Sequence, residues 1–358
     1  MDSLGTSQTI HESERLIVTY RKLDPASKTL VITFSPAIER GETSTKIGFG
    51  ERFLSNLGYD TICFISNDNH WWQVPSMREA VDLAASLSKQ YTNVVTYGVS
   101  MGGYGALLYS KQFGAQTVIA AVPQFTIDPD KEPYEQRWAH FARRLTFLSD
   151  NLTDGLLDGS NVYLLYDPLF KPDTRHVSLI DKDRRFNRIP ASFATHSVTR
   201  YLARLKILSP LVQDILKGDA DVPGFIRTLR SLRRHDPELL LLASEALVAK
   251  GKTKLIHRHA NIVDESMFSK AGDLQRVAKV FIRANQPLKA VKFLTALYER
   301  TKNEDAKRRA LRLISRFIAM NKENLNTHVA SLMSAAEKLE DQMLIARISR
   351  ILKRQSNI

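Results

Sequence analysis

The sequence predicts an α/β fold, a mostly parallel sheet with helices on both faces, followed by an all-α helical-repeat domain. Short β-branched runs alternate with longer helical patterns over roughly the first 200 residues, and after about residue 205 only helical patterns follow. The charge changes at the same place, because residues 1–200 hold 21 Lys or Arg against 22 Asp or Glu, whereas residues 201–358 hold 30 against 16. A chain of 358 residues is also comfortable for two domains.

The first domain is predicted to span residues 15–205, after a polar N-terminal tail of residues 1–14 that we expect to be flexible. Its strand-like runs are RLIVTYRK, KTLVITFSP, DTICFISN, NVVTYGVS, TVIAAVPQ and NVYLLYDP. Helical spacing of apolar residues marks FGERFLSNLGYD, SMREAVDLAASLSKQY and GGYGALLYSKQFG between them. The polar and aromatic stretch at about 124–160 is not strand-like, and we expect a cap-like insertion over a site at the strand ends.

Composition and motifs exclude several protein classes. No stretch approaches the ~18 consecutive apolar residues that a membrane span needs, and MDSLGTSQTIHESER lacks the order of a signal peptide. A soluble, cytoplasmic protein is therefore expected. The single cysteine, Cys63, lies in the apolar run TICFIS, which favours a buried structural thiol. C-x-x-C, H-E-x-x-H and P-loop motifs are absent, so the sequence predicts neither a metal nor another cofactor.

The most informative stretch is VVTYGVSMGGYGALLYSKQFGA, which places Ser100 between glycines, after a strand and before a helix. Residues 98–102 (GVSMG) match the G-x-S-x-G nucleophile elbow. Such a serine sits on a very sharp turn, where side chains two residues away have no room. The turn holds the hydroxyl above the sheet edge, and the amide of Met101 at the helix N-terminus can stabilise a developing oxyanion. A glycine turn with a purely structural role is the alternative.

The elbow GVSMGGYGAL resembles that of the α/β-hydrolase superfamily, especially its esterase branch of the esterase D and S-formylglutathione hydrolase type. In that branch the elbow is commonly G-x-S-M-G-G, followed by a small-residue helix. The resemblance covers roughly residues 15–205 and implies acyl transfer from an ester or thioester, with the triad in the order Ser, Asp, His. The helical C-terminal half is not part of that family's fold.

A nucleophilic serine needs a base, and the base needs an acid that orients it. His196 lies in a loop just before a helix at the end of the domain, which is where the family's base falls. The acid is left open between two residues of NVYLLYDPLFKPDTRHVSLI. Asp167 ends the strand and has the family's D-P-x-x-P arrangement with one residue inserted, so it is favoured. Asp173 starts the next helix and is also typical of an ordinary N-cap.

A second oxyanion donor is expected from the loop at the end of LVITFSPAIERG. Pro36 has no amide hydrogen, so Ser35 or Ala37 must donate, and Ala37 is our candidate beside Met101. The His-Gly pair that is frequent in the family is absent from this loop, so the oxyanion hole departs from the family's pattern.

The loop SNDNHWWQVP follows a predicted strand and is expected at the same sheet edge as Ser100. Its residues His70, Trp71, Trp72 and Gln73 are candidates for one wall of a substrate pocket, where an indole stacks on a sugar or acyl group. The alternative is that both tryptophans cover the sheet edge and close the core. Trp138, in the insertion, is the third tryptophan expected near the elbow.

Residues 206–358 are predicted to form a basic array of helical hairpins. LQRVAKVFIRANQPLKAVKFLTALYER resembles a tetratricopeptide-like hairpin, in which the small residue Ala278 packs between two helices. Stacked hairpins can leave a concave face for a partner, and the positive charge favours an acidic partner or polymer. Aromatic residues are not interleaved with the basic ones, which disfavours nucleic acid.

Two functions therefore remain. The first is a serine hydrolase or acyltransferase that acts on an ester, including an acylated glycan or another bulky organic ester. The second is a catalytically inactive hydrolase-fold protein whose helical domain docks an acidic partner.

Overall fold

The computed structural model describes residues 5–38, 47–182, 186–234, 236–256, 262–321 and 325–355. The chain divides into two compact units, Met1–Leu229 and Arg230–Ile358. The sheet lies in the first unit, and the second unit is helical.

One eight-stranded sheet organises the first unit. Its strands are Gln8–Glu12 (β1), Leu16–Arg21 (β2), Thr29–Phe34 (β3), Asp60–Ser66 (β4), Asn93–Val99 (β5), Thr117–Ala121 (β6), Asn161–Tyr166 (β7) and Asn187–Pro190 (β8). Their spatial order is β1-β2-β4-β3-β5-β6-β7-β8. β2 pairs antiparallel with β1 and with β4, whereas every other neighbouring pair is parallel. The predicted mostly parallel α/β sheet is confirmed.

Helices connect the parallel strands, cover both faces of the sheet, and continue after the last strand. They are Glu51–Asn56 (α1), Met77–Ser88 (α2), Met101–Leu108 (α3), Ala139–Ala142 (α4), Leu152–Gly155 (α5), Lys171–Ile180 (α6), Val198–Arg204 (α7) and Leu208–Lys217 (α8), with Val222–Arg233 (α9) crossing into the second unit. β4 is buried along its whole length, which is why its sequence is a continuous rather than an alternating apolar run. Within it, burial raises the pKa of the Cys63 thiol to about 12, so the expected buried thiol is confirmed.

The structure differs from the sequence-based boundaries at both ends of the first unit. The segment expected to be a flexible tail contains β1, an edge strand that extends the sheet next to β2. The division between units falls after Leu229 rather than near residue 205, because α8 packs on α7. β8 is short and ends in Pro190, and for that reason it carried no strand signal.

Parallel pairing brings the carboxyl ends of β3, β5, β6 and β7 to one edge of the sheet. At this edge α3 approaches the strand ends so closely that side chains are excluded. A Cβ atom on Gly102 would lie 2.2 Å from the carbonyl oxygen of Phe34, and one on Gly98 would lie 2.1 Å from the carbonyl oxygen of Gly102. The elbow glycines are therefore required by backbone packing.

The second unit is formed by helices, as expected. They are Pro237–Ala249 (α10), Ala271–Arg283 (α11), Pro287–Thr301 (α12), Glu304–Met320 (α13), Val329–Lys338 (α14) and Gln342–Gln355 (α15), with 3-10 turns at Thr253–Leu255, Glu265–Met267 and Leu325–His328. α11 and α12 form the predicted hairpin, and Ala278 is buried in it. Across the described ranges of the chain, we find no helix with the length and hydrophobicity that a membrane crossing requires.

Gly102→Ala is expected to lower the free energy of unfolding by about 2 kcal/mol or more, because the new Cβ meets backbone that cannot rotate away. Urea unfolding followed by circular dichroism measures it. The control is Gly272→Ala, where nothing lies within 4 Å of the added carbon and stability should be unchanged or slightly higher. Equal stability of the two variants would contradict the close approach.

Candidate active site

Ser100 lies on the turn between β5 and α3 and is buried. Its backbone has φ 56° and ψ −120°, a conformation that non-glycine residues rarely adopt. The Ser100 amide donates to the carbonyl oxygen of Ala121 at 2.9 Å, and the Tyr104 amide donates to the carbonyl oxygen of Ser100 at 3.0 Å. Strain of this kind costs about 1–3 kcal/mol and persists only where the surroundings enforce it. The structure thus has the sharp strand-to-helix turn that the elbow motif predicts.

His196 lies in the loop before α7 and makes two short contacts. Its Nε2 is 2.9 Å from Ser100 Oγ, and its Nδ1 is 2.8 Å from Asp173 Oδ2. A carboxylate only accepts, so the proton of the neutral ring belongs on Nδ1, and Nε2 is left to accept the serine proton. The structure therefore joins a serine, a histidine and an aspartate from three distant parts of the chain in one hydrogen-bonded series.

The preference for Asp167 over Asp173 is reversed by this geometry. Asp167 accepts hydrogen bonds from the amides of Leu169 and Thr195, both at 2.8 Å, so it holds the turn after β7 and the loop that carries His196. Asp173 is fully buried and does not cap α6, whose N-cap is Phe170. Because α6 starts soon after β7, its first turn lies within reach of His196.

The two expected oxyanion donors have free amides. In the part of the chain that the structure describes, neither the Met101 nor the Ala37 nitrogen has a hydrogen-bond acceptor. The alternative donor, Ser35, is already bonded to the carbonyl oxygen of Phe64 at 3.0 Å. Ile38 donates to Asn69 Oδ1 at 2.6 Å, and this bond fixes the loop next to Ala37.

A charged cluster lies behind the acid. Arg137, from the insertion, donates through Nη1 to Asp173 Oδ1 at 2.7 Å and through Nε to both oxygens of Glu135 at 3.0 Å. Glu135 also accepts from Nε2 of buried His176 at 2.8 Å. Burial alone raises the pKa of Glu135, but the hydrogen bonds from His176 and Arg137 prevail and lower it to about 2. The insertion thus places an ionised pair against the aspartate that contacts His196.

Gln124 contacts Ser100 and was missed by the sequence analysis. It is fully buried just after β6, and its Nε2 lies 3.3 Å from Ser100 Oγ. Its Oε1 accepts from the indole nitrogen of Trp71 at 3.1 Å, which orients the amide. The only sequence signal was its place at the end of the strand-like run TVIAAVPQ, at the sheet edge that also carries the elbow.

The expected substrate wall of His70, Trp71, Trp72 and Gln73 is wrong, because all four side chains are buried. Trp72 Nε1 donates to the carbonyl oxygen of Met101 at 2.8 Å, and Gln73 bonds the backbone of Ser149. Burial lowers the pKa of His70 to about 4, and its Nδ1 accepts from the Trp72 amide at 3.0 Å. These residues close the core beneath the elbow, which is the alternative considered above.

Trp138 differs from the other two tryptophans because it is only partly buried. Its ring centroid lies 6.0 Å from that of His196 and 5.2 Å from that of Trp71. The Arg137 guanidinium lies 5.9 Å from the Trp138 ring and 5.5 Å from the Phe170 ring. Of the aromatic residues weighed from the sequence, Trp138 is thus the one beside the catalytic candidates.

A cavity of about 240 Å³ lies beside this cluster and is lined by Glu132, Tyr134, Glu135, Lys171, Pro172, Arg175 and His176. Neither Ser100 nor His196 lines it. It borders the charges that support the site rather than the reacting atoms.

Similar solved structures are hydrolases and acyltransferases with little sequence identity. The capsule O-acetyltransferase of Neisseria meningitidis serogroup A is 13% identical with a TM-score of 0.41, over 57% of this chain and 98% of its own. The fluorophosphonate-binding serine hydrolase F of Staphylococcus aureus is 13% identical with a TM-score of 0.37, over 56% of this chain and 96% of its own. The esterase Pf2001 of Pyrococcus furiosus is 14% identical with a TM-score of 0.39, over 59% of this chain and 91% of its own. No protein-family model and no curated protein sequence matches the chain.

Gln124→Leu is expected to slow reaction of Ser100 with a fluorophosphonate about tenfold, because it removes the amide that holds the hydroxyl. The matched control is Gln73→Leu, another buried glutamine, whose bonds go to Ser149, Leu148 and Tyr104. It should lower the melting temperature while leaving the labelling rate of the folded protein unchanged. Equal slowing by both variants would show that Gln124 affects the labelling of Ser100 only by stabilising the core, and not through its contact with the hydroxyl.

Proposed function

We propose that the protein is a serine hydrolase or acyltransferase that acts on esters, with Ser100 as nucleophile, His196 as base and Asp173 as the orienting acid. One observation carries the proposal. A strained turn presents a serine whose hydroxyl lies 2.9 Å from an imidazole, and that imidazole is held by a buried carboxylate at 2.8 Å. A purely structural turn has no need for this series of contacts.

In the proposed reaction, Ser100 Oγ attacks the ester carbonyl carbon while His196 Nε2 takes the hydroxyl proton. The oxyanion accepts one hydrogen bond from the amide of Met101, at the positive end of α3. It accepts another from the amide of Ala37, in the loop after β3. His196 then returns the proton to the leaving alcohol, and an acyl-serine remains. Water completes hydrolysis, whereas a sugar or lipid hydroxyl in its place completes acyl transfer.

The substrate is proposed to carry a bulky organic or glycan part, because aromatic side chains lie beside the site. Because Trp71 and Trp72 are buried, this proposal now rests on Trp138 and Phe170, which are partly exposed and lie near the Arg137 guanidinium. A flat aromatic surface beside His196 suits stacking of a sugar or acyl group at the leaving-group side.

Labelling with a fluorophosphonate probe tests the triad. The wild type should label, Ser100→Ala should not, and His196→Ala should label at least about 100-fold more slowly because the base is lost. Circular dichroism must show that each variant is folded. A folded wild type that does not label would overturn the proposal.

The same experiment distinguishes the two acids. Asp173→Asn should slow labelling at least about 100-fold, because the imidazole loses the partner that sets its tautomer. Asp167→Asn keeps an acceptor oxygen for one of its two amide partners and should slow labelling less than about tenfold. The reverse order would return the role of acid to Asp167.

A second candidate function is the docking of an acidic protein segment by the helical unit. A groove of about 360 Å³ runs between α11 and α13, with Ile282, Leu313 and Phe317 among its lining residues. Arg316 lines it and Arg312 lies one turn earlier on α13, and within the described part of the chain no carboxylate pairs with either. Unpaired cations beside apolar side chains suit a chain that is both acidic and apolar.

Binding of full-length protein to polyglutamate at low salt tests this second function. The Arg312→Glu/Arg316→Glu double variant should bind at least about tenfold more weakly. The control Arg347→Glu/Arg350→Glu makes the same charge change at exposed positions of α15 outside the groove. Equal weakening by both variants would reduce the effect to net charge, and the groove would lose its role.

A further inference from the structure

Arg137 is held by several hydrogen bonds at the back of the candidate site. Its Nη1 donates to Asp173 Oδ1 at 2.7 Å, and its Nε and Nη2 both donate to Glu135. Its guanidinium also lies 5.9 Å from the centroid of the Trp138 ring and 5.5 Å from that of the Phe170 ring. A side chain fixed by this many contacts is pre-organised, so its charge has a defined position relative to His196.

That position is next to the imidazole. Arg137 Nη1 lies 3.5 Å from His196 Nδ1. Arginine only donates, and Nδ1 already carries the hydrogen directed at Asp173, so this contact is an approach of two N–H groups and not a hydrogen bond. A positive charge there opposes the second protonation of the ring, the event that base catalysis requires.

Glu135 supplies the opposite charge. It is buried, and the amide of Phe125 donates to His176 Nδ1 at 3.2 Å, so His176 is the neutral Nε2–H tautomer that donates to Glu135. The low pKa of Glu135, about 2, keeps it ionised over the working pH range. The charged groups facing His196 are therefore Asp173 from α6 and the Arg137–Glu135 pair from the insertion, with Asp167 bonded to the amide of the preceding Thr195.

We propose that Arg137 is a positioning residue that fixes Asp173 against His196 and, with Glu135 as its counter-charge, sets the pH range in which His196 acts as a base. This inference rests on the proposed function and assigns a role to the insertion. Arg137 makes the imidazole harder to protonate, and Glu135 partly offsets that effect. Removing one charge or the other must therefore shift the activity profile in opposite directions.

The second-order rate of fluorophosphonate labelling, measured from pH 4 to 9, provides the test. In a plot of this rate against pH, the low-pH limb is the fall in rate as His196 becomes protonated. Arg137→Gln should move this limb to higher pH by about one unit, because a cation that opposes protonation of His196 is gone. Glu135→Gln should move it downward, because the cation loses its counter-charge. The double variant restores the charge balance and should return the limb toward that of the wild type. Arg137→Lys keeps the charge, so its limb should stay in place while its maximal rate falls.

A neighbouring ion pair serves as the control. Glu132 and Arg175 join the same two segments, the insertion and α6, with Nε and Oε1 2.8 Å apart, but they do not contact His196. Glu132→Gln and Arg175→Gln should lower stability without moving the limb. Shifts in the same direction for Arg137→Gln and Glu135→Gln, or shifts as large in the control pair, would refute the proposal. If Arg137→Gln does not fold, the downward shift expected for Glu135→Gln still tests the proposal, because that variant keeps the Arg137–Asp173 bond.

A readout that needs no catalysis separates this inference from the proposed function. The Cε1–H resonance of His196, identified by its loss in His196→Asn, can be followed by NMR against pH in the wild type and both single variants. Opposite displacements of its titration support the electrostatic role even if Ser100 never labels, in which case only the enzymatic function fails. Unchanged titration in both variants overturns the role even if Ser100 labels normally.

Discussion

The close approach of helix α3 to the ends of β3 and β5 is the constraint on which the candidate site depends. No side chain fits at Gly98 or Gly102, and because glycine has none, the backbone can reverse within one residue. The reversal gives Ser100 a positive φ of 56° and brings its hydroxyl to 2.9 Å from His196 Nε2. It also leaves the first amide of α3 without an acceptor among the described residues. The positions of the candidate nucleophile and of the candidate oxyanion donor thus have a single physical origin, the packing of backbone against backbone.

Charge at the site is balanced over a wider region than the three hydrogen-bonded residues. Asp173 is fully buried and serves both His196 and Arg137, and the guanidinium in turn is neutralised by Glu135. A buried carboxylate that contacts only an imidazole has one charged partner for part of the reaction cycle and none for the rest. The bonded arginine gives this one a permanent partner, which limits the desolvation cost of keeping it ionised.

Sequence patterns predicted those features that depend on local backbone geometry. The elbow around Ser100 and the loop position of His196 follow from turn chemistry and chain order, and the parallel sheet follows from alternating strand and helix signals. Contacts between distant segments were not predictable. A tryptophan has the same local pattern whether it faces a ligand or the core, so Trp71 was misplaced, and the choice of Asp173 depended on the distance between two loops that no spacing rule encodes. Gln124 had only its place at a strand end as a signal, because the role of a buried amide is defined by its partners.

The location of the candidate acid Asp173 on α6, rather than on the strand end, has a consequence for how this chain can diverge. A residue on a loop can drift by small backbone adjustments, but a helix turns by about 100° per residue. One residue inserted or deleted between Lys171 and Asp173, inside α6, would rotate the carboxylate away from both His196 and Arg137. The number of residues in the first turn of α6 is therefore under a constraint of its own, which adds to the bonds that Asp167 makes earlier in the same connection.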